Sequence, residues 1–175
     1  METMLLRIFQ RQIRLQCKFL LVAAHDLNCA VKNADVEHTF YALQNLLNSA
    51  ANISKGLWGQ HRKVEIALAR KPLRDSIGID DSSPLRDTNM RNHFEHFDER
   101  LDRWYSTSQN HNHMDLFVGP KNMITGNTTD DKFRHFDPTT TDMLFWGQTF
   151  NIQKIVNEAQ RILPKLEEES GKPHW

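Results

Sequence analysis

Apolar residues return at three- and four-residue steps through much of the chain, and the steps fall into separate runs. In the first run Leu5, Ile8, Phe9, Leu15, Phe19 and Val22 recur at roughly helical spacing, while Arg7, Arg11, Arg14 and Lys18 follow another face. The pattern predicts a long amphipathic helix with a basic stripe. Such a stripe is either solvated and salt-bridged, or it meets phosphates or an acidic partner. In the second run Asn33 or Asp35 caps a helix in which Val36, Phe40, Leu43, Leu47, Ala50, Ile53 and Leu57 repeat, and Gly56 and Gly59 around Trp58 mark its end. A third piece, "RKVEIALAR", stops near Pro72, where "PLRDSIG" opens a new short turn. Ser83 as N-cap with Pro84 at the first helical position starts a helix over about residues 83–106.

Beyond Ser106 the helical period is lost. "STSQNHNH" has no apolar period, and "MDLFVGPKN", "KFRHFDP" and "MLFWGQTF" are short runs between Gly, Pro, Asn, Asp and Thr clusters, the pattern of a small antiparallel hairpin or meander over about 108–150. From Asn151 a helix resumes through Ile152, Ile155, Val156, Ala159 and Ile162, with Pro164 bending or ending it before the acidic "EEES". The expected fold is mainly α: a bundle of four or five helices with the β-hairpin or meander inserted before the last one, forming a single domain over 1–175.

Composition fits a folded chain, since 175 residues with 39% hydrophobic and 25% charged positions suffice for one core. Lys+Arg and Asp+Glu both total 22, so no global field draws the protein to nucleic acid or to an acidic membrane; any such attraction is local. The apolar run Phe19 to Ala24 is too short to span a bilayer, and no small-residue cleavage pattern follows an uninterrupted apolar core. A cytoplasmic protein with no membrane partner is expected. Cys17 and Cys29 lie twelve residues apart in one predicted helix, about 18 Å along its axis, too far for a disulfide. Both are expected to be buried and inert in a reducing compartment.

The predicted helix over 83–106 carries the densest chemistry. Met90, Phe94, Phe97, Leu101, Trp104 and Tyr105 fall within about 120° of arc and form a complete apolar seam. The core needs nothing from the histidines on this pattern. His93 lies at the seam's edge on the side of Arg86, whereas Asn92 and His96 share the opposite face with Glu99 and Arg103.

Within this segment "RNHFEH" places Arg91, a polar Asn92 directly after it, and His96 five positions from the arginine. The spacing resembles the R-x(4-6)-H signature of the HEPN superfamily of helical domains, and the helical order along residues 1–107 is compatible with that fold. The resemblance implies a homodimer in which two such helices face each other across a shared cleft, with RNA or a nucleotide as ligand. It implies that His96 acts as general acid or base on an RNA 2′-hydroxyl while Arg91 and Asn92 hold the scissile phosphate, with no metal or cofactor. Arg86 and His93, six or seven positions apart in the same stretch, form a second candidate pair. Several HEPN toxins carry a Tyr two residues after the His that serves regulation by a nucleotidyltransferase antitoxin partner; this chain has Asp98 there. Acids also crowd the motif, so RNA would rely on the basic stripe of Arg7, Arg11, Arg14 and Lys18 for attraction.

Two other readings stand beside a metal-independent ribonuclease. One is a non-catalytic HEPN-like dimer that binds RNA, nucleotide or protein, with Arg91 paired to Glu95 and Glu99 to Arg103. The other is a histidine-rich metal site, for which His93, His96, Asp98, Glu99, His111 and His113 are the available ligands; no HExxH pattern supports it. "HNH" at 111–113 lacks any framework that would give it meaning as a nuclease motif. "GPKN" and "TGNTTDD" are turn sequences without Walker spacing. Trp58, Trp104 and Trp146 read as core or interface anchors, and Trp175 has no assigned role.

Overall fold

The first helix, α1, runs without interruption from Thr3 to Lys32, yet the face it buries is not the one made of its largest apolar side chains. The structure, a computed structural model, describes residues 1–59, 64–124 and 128–173. On α1 the buried positions are Gln10, Ile13, Gln16, Cys17, Leu20, Ala23, Leu27 and Ala30, whereas Leu5, Ile8, Leu15, Phe19 and Val22 are exposed. The small residues on the inner face permit close approach of the second helix, α2 (Val36–Trp58). A Cβ built on Gly56 would meet Ile13 Cγ1 at 3.0 Å, which explains a glycine inside that helix. Spacing alone favours large side chains over Cys and Ala and therefore selects the wrong face.

Asp35 caps α2 as expected: its carboxylate accepts from the His38 amide at 2.9 Å. The helix ends at Trp58, where Gly59 takes a left-handed conformation. Two short helices follow, α3 (Val64–Ala69) and α4 (Lys71–Ile77), with Pro72 in the first turn of α4 and Gly78 closing it in the left-handed region.

The expected continuous helix over 83–106 is three pieces. Ser83 does accept from the Leu85 amide, but it caps only a 3-10 turn over Pro84–Arg86, and Asp87 is extended. Helix α5 then covers Asn89–Glu95 and α6 covers Phe97–Thr107, with His96 at the break between them (φ −104, ψ 38). The Ser-Pro start signal satisfies a single 3-10 turn as well as an α-helix, so it carries no information on length. Along the expected seam Met90 is buried, but Tyr105 is 72% exposed.

The β region is a four-stranded sheet in the order β1-β2-β3-β4, with β1 at Phe117–Val118, β2 at His135–Asp137, β3 at Asp142–Phe145 and β4 at Gln148–Asn151. Strands β2 to β4 form the expected antiparallel meander, whereas β1 pairs in parallel with β2, Phe117 opposite His135. A parallel partner needs a crossover rather than a tight turn, and the sequence separation of Val118 from His135 is long enough for one. The last helix, α7 (Ile152–Ser170), continues through Pro164 and takes in the acidic residues that were expected to lie beyond it. Pro164 and Gln160 are both exposed, so the carbonyl that loses its intrahelical partner faces water and the interruption is tolerated.

The chain is mainly helical, with the small sheet before the last helix. It folds into two compact units: residues 1–24, 45–88 and 154–175 in one, and 25–44 and 89–153 in the other. In the first unit, Arg70, just before α4, donates to the carbonyls of Lys55 and Gly56, and Arg74 in α4 to that of Leu57, so these cations satisfy the end of α2; Arg74 also donates to Ala67 in α3. In the second unit, Phe133 and Phe145, both fully buried, meet edge to face with centroids 5.4 Å apart. No helix among the described residues is long and apolar enough to cross a membrane. Cys17 is buried and its thiol is pushed up to about 12 by desolvation, whereas Cys29 is exposed, 3.6 Å from His25 Nε2, against the expectation of burial.

Candidate functional site

Arg91 and Asn92 lie in α5, a short helix that buries Met90 and His93, leaves Arg91, Asn92 and Phe94 partly covered and exposes Asn89 and Glu95. Arg91 Nη1 donates to Asn92 Oδ1 at 3.4 Å, and the guanidinium also pairs with Glu95 one turn on. The side chain of Arg91 is only 17% exposed, and its Nε is buried without a partner. His96 sits at the break after α5 with its side chain 49% exposed. Its Nδ1 lies 3.2 Å from Glu99 Oε1. A carboxylate at Nδ1 favours the tautomer with the proton on that nitrogen, which leaves Nε2 as the basic atom.

The three residues matched to the motif thus have an adjacent hydrogen-bonded Arg–Asn pair and an accessible, oriented imidazole five residues from the arginine. Glu99, placed by spacing on the same face as His96, is its partner; the expected Glu99–Arg103 pair is not what engages this carboxylate.

Of the alternative pair, Arg86 belongs to the first unit, where it binds Asp81 at 3.3 Å, and His93 belongs to the second. His93 is buried, contrary to the expectation that the core needs no histidine: its ring stacks on Phe145 with centroids 4.8 Å apart. Both ring nitrogens are engaged, since Arg100 Nε donates to Nδ1 at 3.3 Å and Nε2 lies 3.0 Å from Gln148 Oε1. This assigns the proton to Nε2 and keeps the ring neutral. Desolvation holds the His93 pKa below the usual imidazole value, opposed by the Gln148 bond and reinforced by the Arg100 charge. Gln148, 55 residues away in β4, had no signal in the sequence. Arg100 did have one, because seven residues is close to two helical turns.

The basic stripe of α1 faces α7. Arg7 pairs with Glu169 at 3.1 Å and Lys18 with Glu167 at 3.0 Å, while Arg11 and Arg14 donate to the backbone and hydroxyl oxygens of Ser170, each at 3.3 Å. The salt-bridged alternative for this stripe is the one realised. Among the described residues no three His, Cys, Asp or Glu side chains come together to hold a metal ion, so the histidine-rich set is dispersed. His111 and His113 instead pack around Trp104, at 5.6 and 5.0 Å between centroids.

Small concavities lie among the described residues. One of about 200 Å³ in the first unit is lined by Trp58, Leu68, Arg74, Asp81 and Arg86, and Trp58 Nε1 donates to Asp81 within it at 2.7 Å. One of about 170 Å³ in the second unit is lined by Lys121, Lys132, His135, Phe145 and Trp146. The turn "GPKN" is tied down by Asp137, which accepts from the Lys121 amide at 2.9 Å, in keeping with a structural role. Trp175 and the whole of "TGN" in the second turn sequence lie outside the described residues. Comparison with protein-family models, curated proteins and solved structures gives no match to this chain.

Proposed function

We propose that this protein is a HEPN-like, metal-independent endoribonuclease that acts as a homodimer, with Arg91, Asn92 and His96 as its reactive residues. The observation that carries the reading is the exposed His96 imidazole with Nδ1 held by Glu99, five residues from a hydrogen-bonded Arg91–Asn92 pair. In the reaction, His96 Nε2 takes the proton of a ribose 2′-hydroxyl, and that oxygen attacks the adjacent phosphorus. The bond from phosphorus to the 5′-oxygen breaks, and the leaving oxygen takes up a proton. The products are a 2′,3′-cyclic phosphate and a 5′-hydroxyl. Arg91 neutralises charge on the phosphoryl oxygens, exchanging Glu95 for the phosphate. Asn92, whose Oδ1 is taken by Arg91, has its amide N–H groups for the same phosphate.

The test is cleavage of a panel of single-stranded and transfer RNAs in the presence of a chelator. Wild-type protein should release fragments ending in 2′,3′-cyclic phosphate, and His96→Ala and Arg91→Ala should each abolish the release while retaining the wild-type circular dichroism. Cleavage that survives both substitutions sinks the assignment. The near-burial of Arg91 and its pairing with Glu95 favour a second reading, a non-catalytic dimer that binds RNA, nucleotide or protein. Retention of RNA on wild-type protein with no cleavage, and its loss in Arg91→Ala, would select that reading.

A further inference from the structure

The outer face of α1 is apolar and exposed among the described residues. Met4, Leu5, Ile8, Leu15, Phe19 and Val22 are 52%, 44%, 50%, 42%, 50% and 60% exposed. At 100° per residue, all but Leu5 lie within about 60° of arc, and Leu5 borders them. These six side chains leave on the order of 500 Å² of apolar surface in water, the upper range for a patch on a monomer. The opposite face of the same helix is fixed in the core by Ile13, Cys17 and Leu20, so the stripe cannot turn inward without unfolding the first unit.

We propose that a second copy of this chain packs on this face, α1 against α1, antiparallel about a two-fold axis near residue 13. The stripe is nearly its own mirror in that arrangement: Leu5 comes opposite Val22, Ile8 opposite Phe19, and Gln12 opposite Leu15. A two-fold contact requires such self-complementarity. The area fits as well, because six half-exposed side chains with their polar borders approach the roughly 800 Å² per partner of a stable interface.

Charge favours a second copy over a polyanion or an anionic lipid surface. Two of the cations beside the stripe are paired within the chain, Arg7 with Glu169 and Lys18 with Glu167, while Arg11 keeps its charge and is turned to the Ser170 carbonyl. The paired cations add little repulsion across a two-fold axis and are engaged away from phosphates. The inference is separate from the Arg91 and His96 chemistry, and it places the two-fold contact of the homodimer on α1 rather than between two copies of α5 and α6.

The experiment is sedimentation of the full chain over a range of concentrations, combined with cysteine crosslinking in a Cys29→Ser background. Wild-type protein should be a dimer, Ile8→Glu and Phe19→Glu should each give monomers with unchanged thermal melts, and His96→Ala should remain dimeric. Gln12→Cys, close to the axis, should form an intermolecular disulfide in the dimer. Met4→Cys should not, because an antiparallel pair places the two thiols about 27 Å apart along the helices. A wild-type monomer at every concentration overturns the proposal, as does a dimer that persists in both glutamate variants. Rapid Met4→Cys crosslinking, the mark of a parallel pair, also overturns it, and so does a monomer that floats with anionic phospholipid vesicles.

Discussion

His93 and Gln148 are bound to each other at 3.0 Å across 55 residues of chain, the imidazole as donor and the amide oxygen as acceptor. Arg100 occupies the other ring nitrogen, so the site stabilises neutral His93. The folded-state pKa lies below the unfolded value, with desolvation the first cause. Between those two values the unfolded chain binds more protons than the folded one, and stability therefore rises with pH. The His93 contribution is complete above the unfolded pKa of about 6.5 and is lost as acidification proceeds from there toward the folded pKa. Urea unfolding at pH 7.5, 6.5 and 5.5 should show the wild-type midpoint falling with acid, and the fall should be shallower in His93→Gln. Equal pH slopes for the two proteins would remove the assigned tautomer.

Glu99→Gln tests orientation rather than acid–base chemistry. If His96 is the reactive imidazole, loss of the carboxylate at Nδ1 should lower kcat for RNA cleavage by about tenfold while leaving KM unchanged, since Glu99 touches no substrate. The thermal midpoint should stay within about 2 °C of wild type because the pair is exposed. A rise in KM with kcat intact would make Glu99 a binding residue instead.

The second unit should be unusually sensitive at Phe133. This side chain is fully buried and meets Phe97, Trp104, His113, Phe145 and Trp146. Phe133→Ala should cost about 3–5 kcal/mol, whereas Tyr105→Ala, on a side chain 72% exposed, should cost less than about 1 kcal/mol. Chemical denaturation of both variants checks the contrast.

How much of this was legible beforehand follows the range of the contacts involved. Asp35 as a cap, Pro72 opening α4 and the restart of helix near Asn151 are local events, decided within a few residues, and the sequence carries them. The face that α1 buries depends on how closely Gly56 approaches Ile13, and the parallel pairing of Phe117 with His135 depends on a crossover; neither leaves a periodic trace. The site was legible in part. Arg91, Asn92 and His96 stand out by type and spacing, but the break at His96, the grip of Glu95 on Arg91 and the burial of His93 are tertiary results.

Gly59 offers a probe of the first unit. Its φ of +75 lies in the left-handed region, and an added Cβ would collide with Ile66 Cγ2. Gly59→Ala should therefore destabilise by about 1–3 kcal/mol, the sum of a left-handed penalty and a steric shift. An unchanged urea midpoint would contradict this packing of α2 against α3.

The bonds that hold Arg7, Arg11 and Arg14 to the last helix span 162, 159 and 156 residues. Those from Arg70 and Arg74 to the end of α2 span 15, 14 and 17. Closing a loop costs more entropy the longer it is, and a growing chain makes its distant contacts last. The corner of α2, α3 and α4 can therefore form before α7 has been made, whereas the cations of the first helix stay without these partners until α7 has followed. Though α1 is the earlier element, it is locked after the corner that comes behind it.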